Sequence, residues 1–419
     1  MDDYNVCRDR FYETIQGFWD RLYGVEYALF DCLDFVKEEV SNIRRATKES
    51  YAVYKKVNEM MRYAPDESFI DLGFPKKALP FLRLSLLPYE TVIGRFDFVK
   101  TNQGLKLLEF NSDTPTFIRE LFDVNGLVCK EYKREDPNEN EAERLGTAIR
   151  NSVYHCAQAI GVKNHPYVVF TAHEEDMEDR GTMMYLMEVA QIKGSTFVPL
   201  RDIQIVTDGN ESGVYDDKGN RIDVLYRHTY PLEALLEDVT DDQFPIGIEF
   251  MKLVEQKKVG MLNPTSAFLM QSKAVMALIW GMYEQRHPLL TEEELAVIGR
   301  YFLPTYLDEE PFLETGERYV SKPAFGREGD TVVVKQNGKI IYSQTKSSYD
   351  HYVKVYQKYV DLPTSVVQTE HGQLEAHLLY GSFIVNEKPS AFGVRAGAKI
   401  TDNLSYFLPC GVKGAMEWT

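Results

Sequence analysis

Apolar side chains recur along this chain with two different periods, and the changes of period mark its elements. In residues 1–63, Phe11, Ile15, Phe18, Trp19, Leu22 and Tyr23 fall three or four apart, as do Val36, Val40 and Ile43 further on. That spacing predicts a helical segment with one face on a core. Phe74-Pro75 and Pro80 interrupt it. The period then drops to two in residues 92–100 and 105–111, two strands separated by TNQG. Residues 138–160 return to helical spacing, 165–171 hold the short buried strand PYVVFT, 181–192 read as a helix and 195–199 as a strand. A further short strand is expected at Leu225-Tyr226-Arg227, after a hairpin turn at residues 215–220. This strand–helix–strand alternation predicts an α/β subdomain. Residues 265–283 form an apolar helix carrying Lys273, and from about Arg318 onward short strands dominate. The expected fold class is therefore α/β (α+β). No internal repeat is visible, and the nearest approach to a linker is the acidic, proline-flanked stretch 304–311.

Composition narrows the functional classes. The chain has 419 residues, 44% of them hydrophobic, enough for a large core and two or three subdomains. Its formal net charge of −17 makes nucleic acid a poor partner and would attract a cationic small molecule such as a polyamine. The same acidity also serves plain solubility. Five cysteines, Cys7, Cys32, Cys129, Cys156 and Cys410, lie far apart with no CxxC spacing, which argues against a zinc site or a disulfide framework and fits a reducing cytoplasm. The acidic, amphipathic N-terminus is unlike a signal peptide. No run approaches the roughly 18 apolar residues that a membrane span needs.

Two constellations carry chemistry. GRFDFVK and KLLEFNSDTPTF bracket the TNQG turn. In a strand, residues two apart share a face, so Arg95 and Asp97 point one way and so do Glu109 and Asn111. A three-residue loop, Asn102-Gln103-Gly104, with Gly104 left-handed, would place Asp97 opposite Glu109 and Arg95 opposite Asn111. Facing carboxylates repel unless a cation lies between them, and Asp, Glu and Asn oxygens are hard ligands of the kind Mg²⁺ takes. Arg95 adds a fork suited to a carboxylate or phosphate. A solvated strand face with an Arg–Asp surface pair is the other reading of these residues. Asp113, where the strand turns, is expected to cap the Thr114-Pro115 turn.

The second constellation is VSKPAFGREGD, a strand, a glycine-containing turn and a second strand. Backbone amides around Gly326 and Gly329 can close over phosphates, and Lys322 can reach a phosphate as a point charge. A plain hairpin has the same pattern. Residues 355–360, with Gln357, Lys358, Tyr359 and Val360, read as a strand-end hinge able to hold a purine. Arg395 ends a late strand and could stabilise charge on a transferring phosphoryl or acyl group.

GRFDF, LLEFNSDTPT, VSKPAFGREG, VYQ with LP beyond it, GVR, ITDN and LSYFLP occur in this order from about Gly94 to the C-terminus. Together they resemble the synthetase domain of the glutathionylspermidine synthase family and its stand-alone relatives. The resemblance implies an ATP-grasp fold with a small α/β substrate subdomain. It divides the chain into a helical N-terminal segment (1–90), a region with the metal-binding hairpin and α/β subdomain (91–260) and the ATP-grasp subdomains (261–419). It implies an ADP-forming, carboxylate–amine ligase that works through an acyl phosphate with ATP and Mg²⁺. Under it, Asp97, Glu109 and Asn111 match the Mg²⁺ ligands, and Arg95 and Arg395 match the arginines at the reacting carboxyl. Lys273 and Lys322 match the ATP lysines, and Gln357 begins the adenine hinge. Thr114, Thr116, Glu178 and Thr229 fall where the family contacts its peptide substrate. The partners it implies are a small-molecule or peptide carboxylate and an amine, with a cationic polyamine as one candidate. The sequence departs from the family pattern at Ala396-Gly397, where Glu-Asp is usual, at Cys410, where the family often has His after Pro, and at Ser272, where Asn usually precedes the lysine. The amidase half of bifunctional relatives is not expected, since only about 90 residues precede GRFDF. An ATP-binding relative without ligase activity, and a ligase with a thiol or amino-acid acceptor, are alternative expectations. Oligomeric state is not legible.

Overall fold

A computed structural model describes residues 4–327, 329–343, 348–400 and 404–413. Of the motifs above, Glu328 of GREG and Thr401, Asp402 and Asn403 of ITDN lie outside the described residues.

The two periods in the sequence become three main sheets with helices packed between and around them. The acidic hairpin, Ile93–Thr101 and Gly104–Asn111, lies at one edge of a largely antiparallel sheet with the late strands Gly372–Val385, Lys388–Gly397 and Tyr406–Leu408. Chain segments nearly 300 residues apart thus share one sheet: Asp97 is opposite Gly381, which is in turn opposite Gly393. The turn between the two late strands uses Asn386 and Glu387, both with positive φ (40° and 67°), which suits a tight hairpin. Helix Lys37–Met61 buries Val40, Ile43, Tyr51, Tyr54 and Val57 against this sheet. Tyr54 meets Phe110 edge-on at 5.0 Å, and Phe110 stacks on Phe96 at 3.8 Å.

A second sheet is parallel, in the order Gly260–Leu262, Val224–Tyr226, Val168–Phe170, Thr196–Phe197. Its central strands are buried on both faces, as parallel strands flanked by helices must be. This is the expected α/β unit. The third sheet, five-stranded and antiparallel, contains Arg318–Pro323, Val333–Gln336 and Lys354–Lys358. The stretch 304–311 is not a linker: Thr305–Tyr306 pairs with Tyr356 and Gln357 in this sheet, and Glu310 opens the helix Glu310–Thr315.

Two helix expectations need correction. The N-terminal helix stops at Tyr12, and residues 13–36 form a compact irregular segment with short strands before the next helix. Gly17 and Gly24 adopt φ of +65° and +81°, conformations that a helix cannot contain. The apolar spacing of Phe18, Trp19 and Leu22 reflects burial of this irregular segment, with Trp19 only 1% exposed. Residues 265–283 are two helices, Thr265–Gln271 and Ala274–Glu284, broken at Ser272-Lys273. The break lets the Lys273 amide donate to Ala324 O (2.9 Å) and turns its side chain toward the hairpin.

Candidate active site

The register of the acidic hairpin puts Arg95 opposite Asn111 and Asp97 opposite Glu109, as the spacing predicts. The route differs from the expected three-residue loop. Thr101 pairs with Gly104, so the loop holds only Asn102 and Gln103, and by itself it would shift the register by one. A β-bulge restores the pairing: Leu107 faces Phe98 and Glu109 faces Asp97, leaving Leu108 as the extra residue. The freed Leu108 carbonyl accepts a 2.8 Å hydrogen bond from Lys322 Nζ. One inserted residue thus aims the carboxylates and anchors a lysine.

On the resulting face, Arg95 grips Asp97 with both ends of its fork, at 2.7 and 2.9 Å, and donates to Thr116 O at 2.8 Å. Asn111 Nδ2 donates to Asp97 Oδ2 (3.3 Å) and Glu109 Oε1 (3.1 Å). Its amide nitrogen therefore stands between the two carboxylates, where a cation would stand. Lys273 Nζ lies 3.3 Å from Glu109 Oε2 and donates to Gly326 O at 2.9 Å. Burial pushes the Glu109 carboxyl up, but Lys273, Lys322 and the Asn111 amide outweigh it and bring it down to about 2. Asp97 is raised, because burial exceeds the help from Arg95. Burial brings Lys322 down to about 8, with Glu109 resisting. Among the described residues no group of three His, Cys, Asp or Glu side chains has metal-holding geometry. The trio here is two carboxylates and an amide.

The strand end that follows is fixed from three sides. Gln271 Oε1 accepts from the amides of Ser112 (2.8 Å) and Asp113 (3.0 Å). Buried His228 donates through Nε2 to Pro115 O at 2.7 Å. Asp113 does not cap its own turn. It forms a fully buried, two-pronged ion pair with Arg227 (3.1 and 2.9 Å) and accepts from the Leu232 amide at 3.0 Å. It thereby ties the hairpin to the parallel sheet.

Two cavities meet at this face. One is lined by Arg95, Asp97, Glu109, Asn111, Thr114, Thr116, Glu178 and Arg395. The other is lined by Asp97, Glu109, Lys322, Gln357, Lys358, Tyr359 and Val360. They share Asp97, Glu109, Gly329 and Leu379, so the two sequence constellations open onto one cleft. Lys273 reaches it through Glu109, and Gly326 offers its carbonyl to Lys273. The buried Gln357 side chain is fixed by its neighbours. It accepts from Lys322 at 2.8 Å and donates to Thr305 at 3.3 Å. Thr229 is buried and is not among the residues lining either cavity.

Several cleft residues went unpredicted. Arg327 lies between the two glycines of the turn, lines the cleft and donates to Thr114 Oγ1. Its place in GREG was the available signal. Tyr27 enters from the irregular N-terminal segment and donates to Glu120 at 2.7 Å, to which Trp19 also donates at 3.1 Å. Glu120 is fully buried and raised by that burial. Asp176 and Asp179 join Glu178 at the start of helix Met177–Ala190, where Asp176 caps the Asp179 amide at 2.9 Å. Burial, with Glu120 adding repulsion, raises Glu178 to about 8.

A cleft floored by paired carboxylates on one sheet, covered by a lysine-bearing antiparallel sheet and flanked by arginines, is the arrangement of an ATP-grasp protein. Comparison with known proteins supplies the family: the pattern described as glutathionylspermidine synthase pre-ATP-grasp matches residues 10–413, and the chain belongs to that family. A Haemophilus influenzae protein named as an acid–amine ligase is 25% identical over 390 residues, spanning 90% of this chain and 88% of its own length. The bifunctional glutathionylspermidine synthetase/amidase of Escherichia coli is 20% identical over 343 residues, 76% of this chain and 50% of that protein. The solved structure of a glutathione synthetase-like effector from Globodera pallida shares the fold over 99% of this chain and 98% of its own, with a TM-score of 0.57 at 12% identity.

Proposed function

We propose that this chain is an ATP-dependent ligase that joins a carboxylate to an amine through an acyl phosphate, releasing ADP and phosphate. The observation that carries the reading is the single cleft shared by the acidic hairpin and the lysine-bearing sheet. ATP, when bound, supplies the phosphoryl group that makes the carboxylate displaceable. The chain's own side chains position and neutralise. Lys322 spends two donors on Leu108 O and Gln357 Oε1, which aims its third into the cleft toward phosphate. Lys273 sits beside it, next to Glu109. Arg95 and Arg395 flank the place where the acid would lie, and their guanidinium groups suit a carboxylate and the charge that develops on its phosphorylated form.

Asp97, Glu109 and Asn111 fit Mg²⁺ as hard oxygen donors, given a half-turn of the Asn111 amide that brings its oxygen where its nitrogen stands. Bound there, the ion would neutralise phosphate charge. Thr114 and Thr116, held beside the metal-binding face, are proposed to hold the acid. Glu178 is proposed to take the proton that an ammonium must lose before it attacks, and Asp176 and Asp179 to favour a cationic amine. The substrate classes supported are a peptide-like carboxylate and a polyamine. The departure at Ala396 does not reach the cleft, since that side chain is buried and alternates away from Arg395 along the strand. The five free cysteines suit a reducing compartment, which supports a cytoplasmic location, and no described helix is long and apolar enough to cross a membrane.

The test is incubation with Mg·ATP, hydroxylamine and a panel of peptide acids. The reading expects ADP, phosphate and a hydroxamate of one acid. AMP and pyrophosphate in place of ADP would reject it.

A further inference from the structure

The parallel sheet carries a groove at the amino ends of its strands. Helix Glu141–Ala159 runs there into residues 160–166, which lead to strand Val168–Phe170. Helix Met177–Ala190 ends there at residues 191–193, which lead to strand Thr196–Phe197. The groove has a volume of about 670 Å³. Buried Val153 and Ala157, with half-buried Val162, Pro166 and Ile192, make an apolar floor, and Tyr154 stands at the rim, 59% exposed. Arg150, Lys163 and Lys193 also line it, and no Asp or Glu does. Among the described residues none of these three cations meets a carboxylate; Arg150 donates to Ala190 O (3.0 Å) and Thr147 Oγ1 (2.9 Å). In a chain with 64 acidic and 47 basic residues, three cations without a partner around one apolar groove run against the composition.

The other end of the sheet carries a knob of complementary character. Residues 227–244 follow strand Val224–Tyr226 and so leave from the carboxyl ends, and helix Ile246–Glu255 returns to strand Gly260–Leu262. Residues 240–244, TDDQF, are closed on themselves. The Thr240 amide donates to Phe244 O (2.9 Å), the Phe244 amide to Thr240 Oγ1 (3.1 Å) and the Gln243 amide to Thr240 O (2.9 Å). Val239 and Phe244 present apolar surface, 48% and 37% exposed. Glu237 is paired with Lys77, and Asp238 accepts from Tyr230. Among the described residues Asp241 and Asp242 meet no lysine or arginine. The helices beside the groove pack on the sheet face that bears Val168, Phe170 and Tyr226. Helix Ile246–Glu255 packs on the face that bears Val169, Leu225 and Met261. Groove and knob are therefore at opposite ends and on opposite faces of one sheet, and do not meet within a chain.

We infer that the knob at residues 239–244 docks into the basic groove of a second copy of this chain. Val239 and Phe244 cover the apolar floor beside Tyr154, and Asp241 and Asp242 meet Lys163 and Lys193. The occupant is the chain itself because its knob matches the groove both in sign of charge and in apolar content, and because both are left without partners in the single chain. The contact is heterologous: one end of a sheet meets the other end of the next copy's, so it repeats and does not close on a pair. A short loop in a groove buries less than the roughly 1,200 Å² of a stable interface, and the net negative charge of each copy opposes approach. Association is therefore weak and grows with concentration.

Sedimentation velocity on the full chain, between about 10 µM and about 500 µM, reads the association over the range of weak contacts. The weight-average mass is expected to rise with concentration and to pass that of two copies. Carbodiimide crosslinking of an equal mixture of ordinary and nitrogen-15-labelled chain should give peptides that join Asp241 or Asp242 of one isotope to Lys163 or Lys193 of the other. Two charge-reversed chains are then compared, one with Lys163→Glu and Lys193→Glu, the other with Asp241→Lys and Asp242→Lys. Each should stay a single copy when alone, and the two should associate when mixed, because the reversed groove takes the reversed knob. Recovery on mixing also shows that both chains are folded. A mass that stays at one copy throughout, growth that stops at two copies, or crosslinks confined to other residues would each overturn the proposal. So would reversed chains that associate alone as the unaltered chain does, or a mixture of the two that stays apart.

Discussion

Two titratable side chains at the cleft have been moved close to the same pH from opposite directions. Glu178 is raised to about 8 by burial and by Glu120. Lys322 is lowered to about 8 by burial. If Glu178 must be ionised to take a proton and Lys322 must be charged to hold phosphate, activity rises as Glu178 ionises and falls as Lys322 loses its proton. The pH–rate profile should be a narrow bell near pH 8 whose two apparent values belong to the site as a whole. Glu178→Gln should lower the rate and flatten the acid limb. Lys322→Arg should remove the fall of kcat/KM for ATP above pH 8, because an arginine stays charged there. A profile unchanged in both variants would remove these residues from the proposed roles. Arg395→Gln should slow turnover by roughly 100-fold or more if that guanidinium meets charge formed in the reaction, with little change in Tm. At this scale, Asp97, Glu109 and Asn111 were legible because alternation along a strand assigns a face without any tertiary knowledge, whereas Lys273, read as part of an apolar helix, came only from the resemblance. Asp113 was misread because its partner, Arg227, is 114 positions away and local turn chemistry offered a cheaper explanation. Tyr27 and Glu120 were silent because neither carries a local pattern.

The elements that place those residues depend on single-residue features. The bulge at Leu108 is one, and helix Met177–Ala190 supplies another. A Cβ on Gly181 would lie 2.2 Å from Trp19 Cζ3, so the helix accepts the buried indole only where that side chain is missing. Gly181→Ala should therefore destabilise the N-terminal wall, costing about 1–3 kcal/mol as overpacking does. Thermal melts would show the loss, and hydrogen exchange should localise it to residues 13–36. Melting and exchange like those of the unaltered chain would mean the wall does not depend on this contact. Periodicity found the long helix Lys37–Met61, the hairpin and three of the parallel strands, but gave no sign of Gly260–Leu262, which is too short to carry a pattern. It failed at residues 13–36, where buried aromatics at helical spacing outvoted Gly17 and Gly24. It also ran past the break at Ser272-Lys273, which a serine before a lysine does not announce.

Across the whole molecule, the cleft exists because the hairpin near residue 100 is completed by strands from beyond residue 360 and faced by the sheet that contains Arg318–Pro323. Ordered motifs made this assembly readable as a resemblance, but no local signal states which strand pairs with which. The chain's acidity, −17 overall, acts at this scale too. Added salt should raise KM for a polyamine more than for an uncharged acceptor, since screening weakens long-range attraction; equal KM values across salt would show that the field plays no part. The central claim, that one cleft activates a carboxylate with ATP for attack by an amine, is tested most directly by following phosphorus by NMR. The reaction contains Mg·ATP, an acid that gives a hydroxamate, and an amine. The account predicts one ADP and one phosphate for each amide formed. AMP with pyrophosphate, or tight ATP binding without turnover across the whole panel of acids and amines, would contradict it.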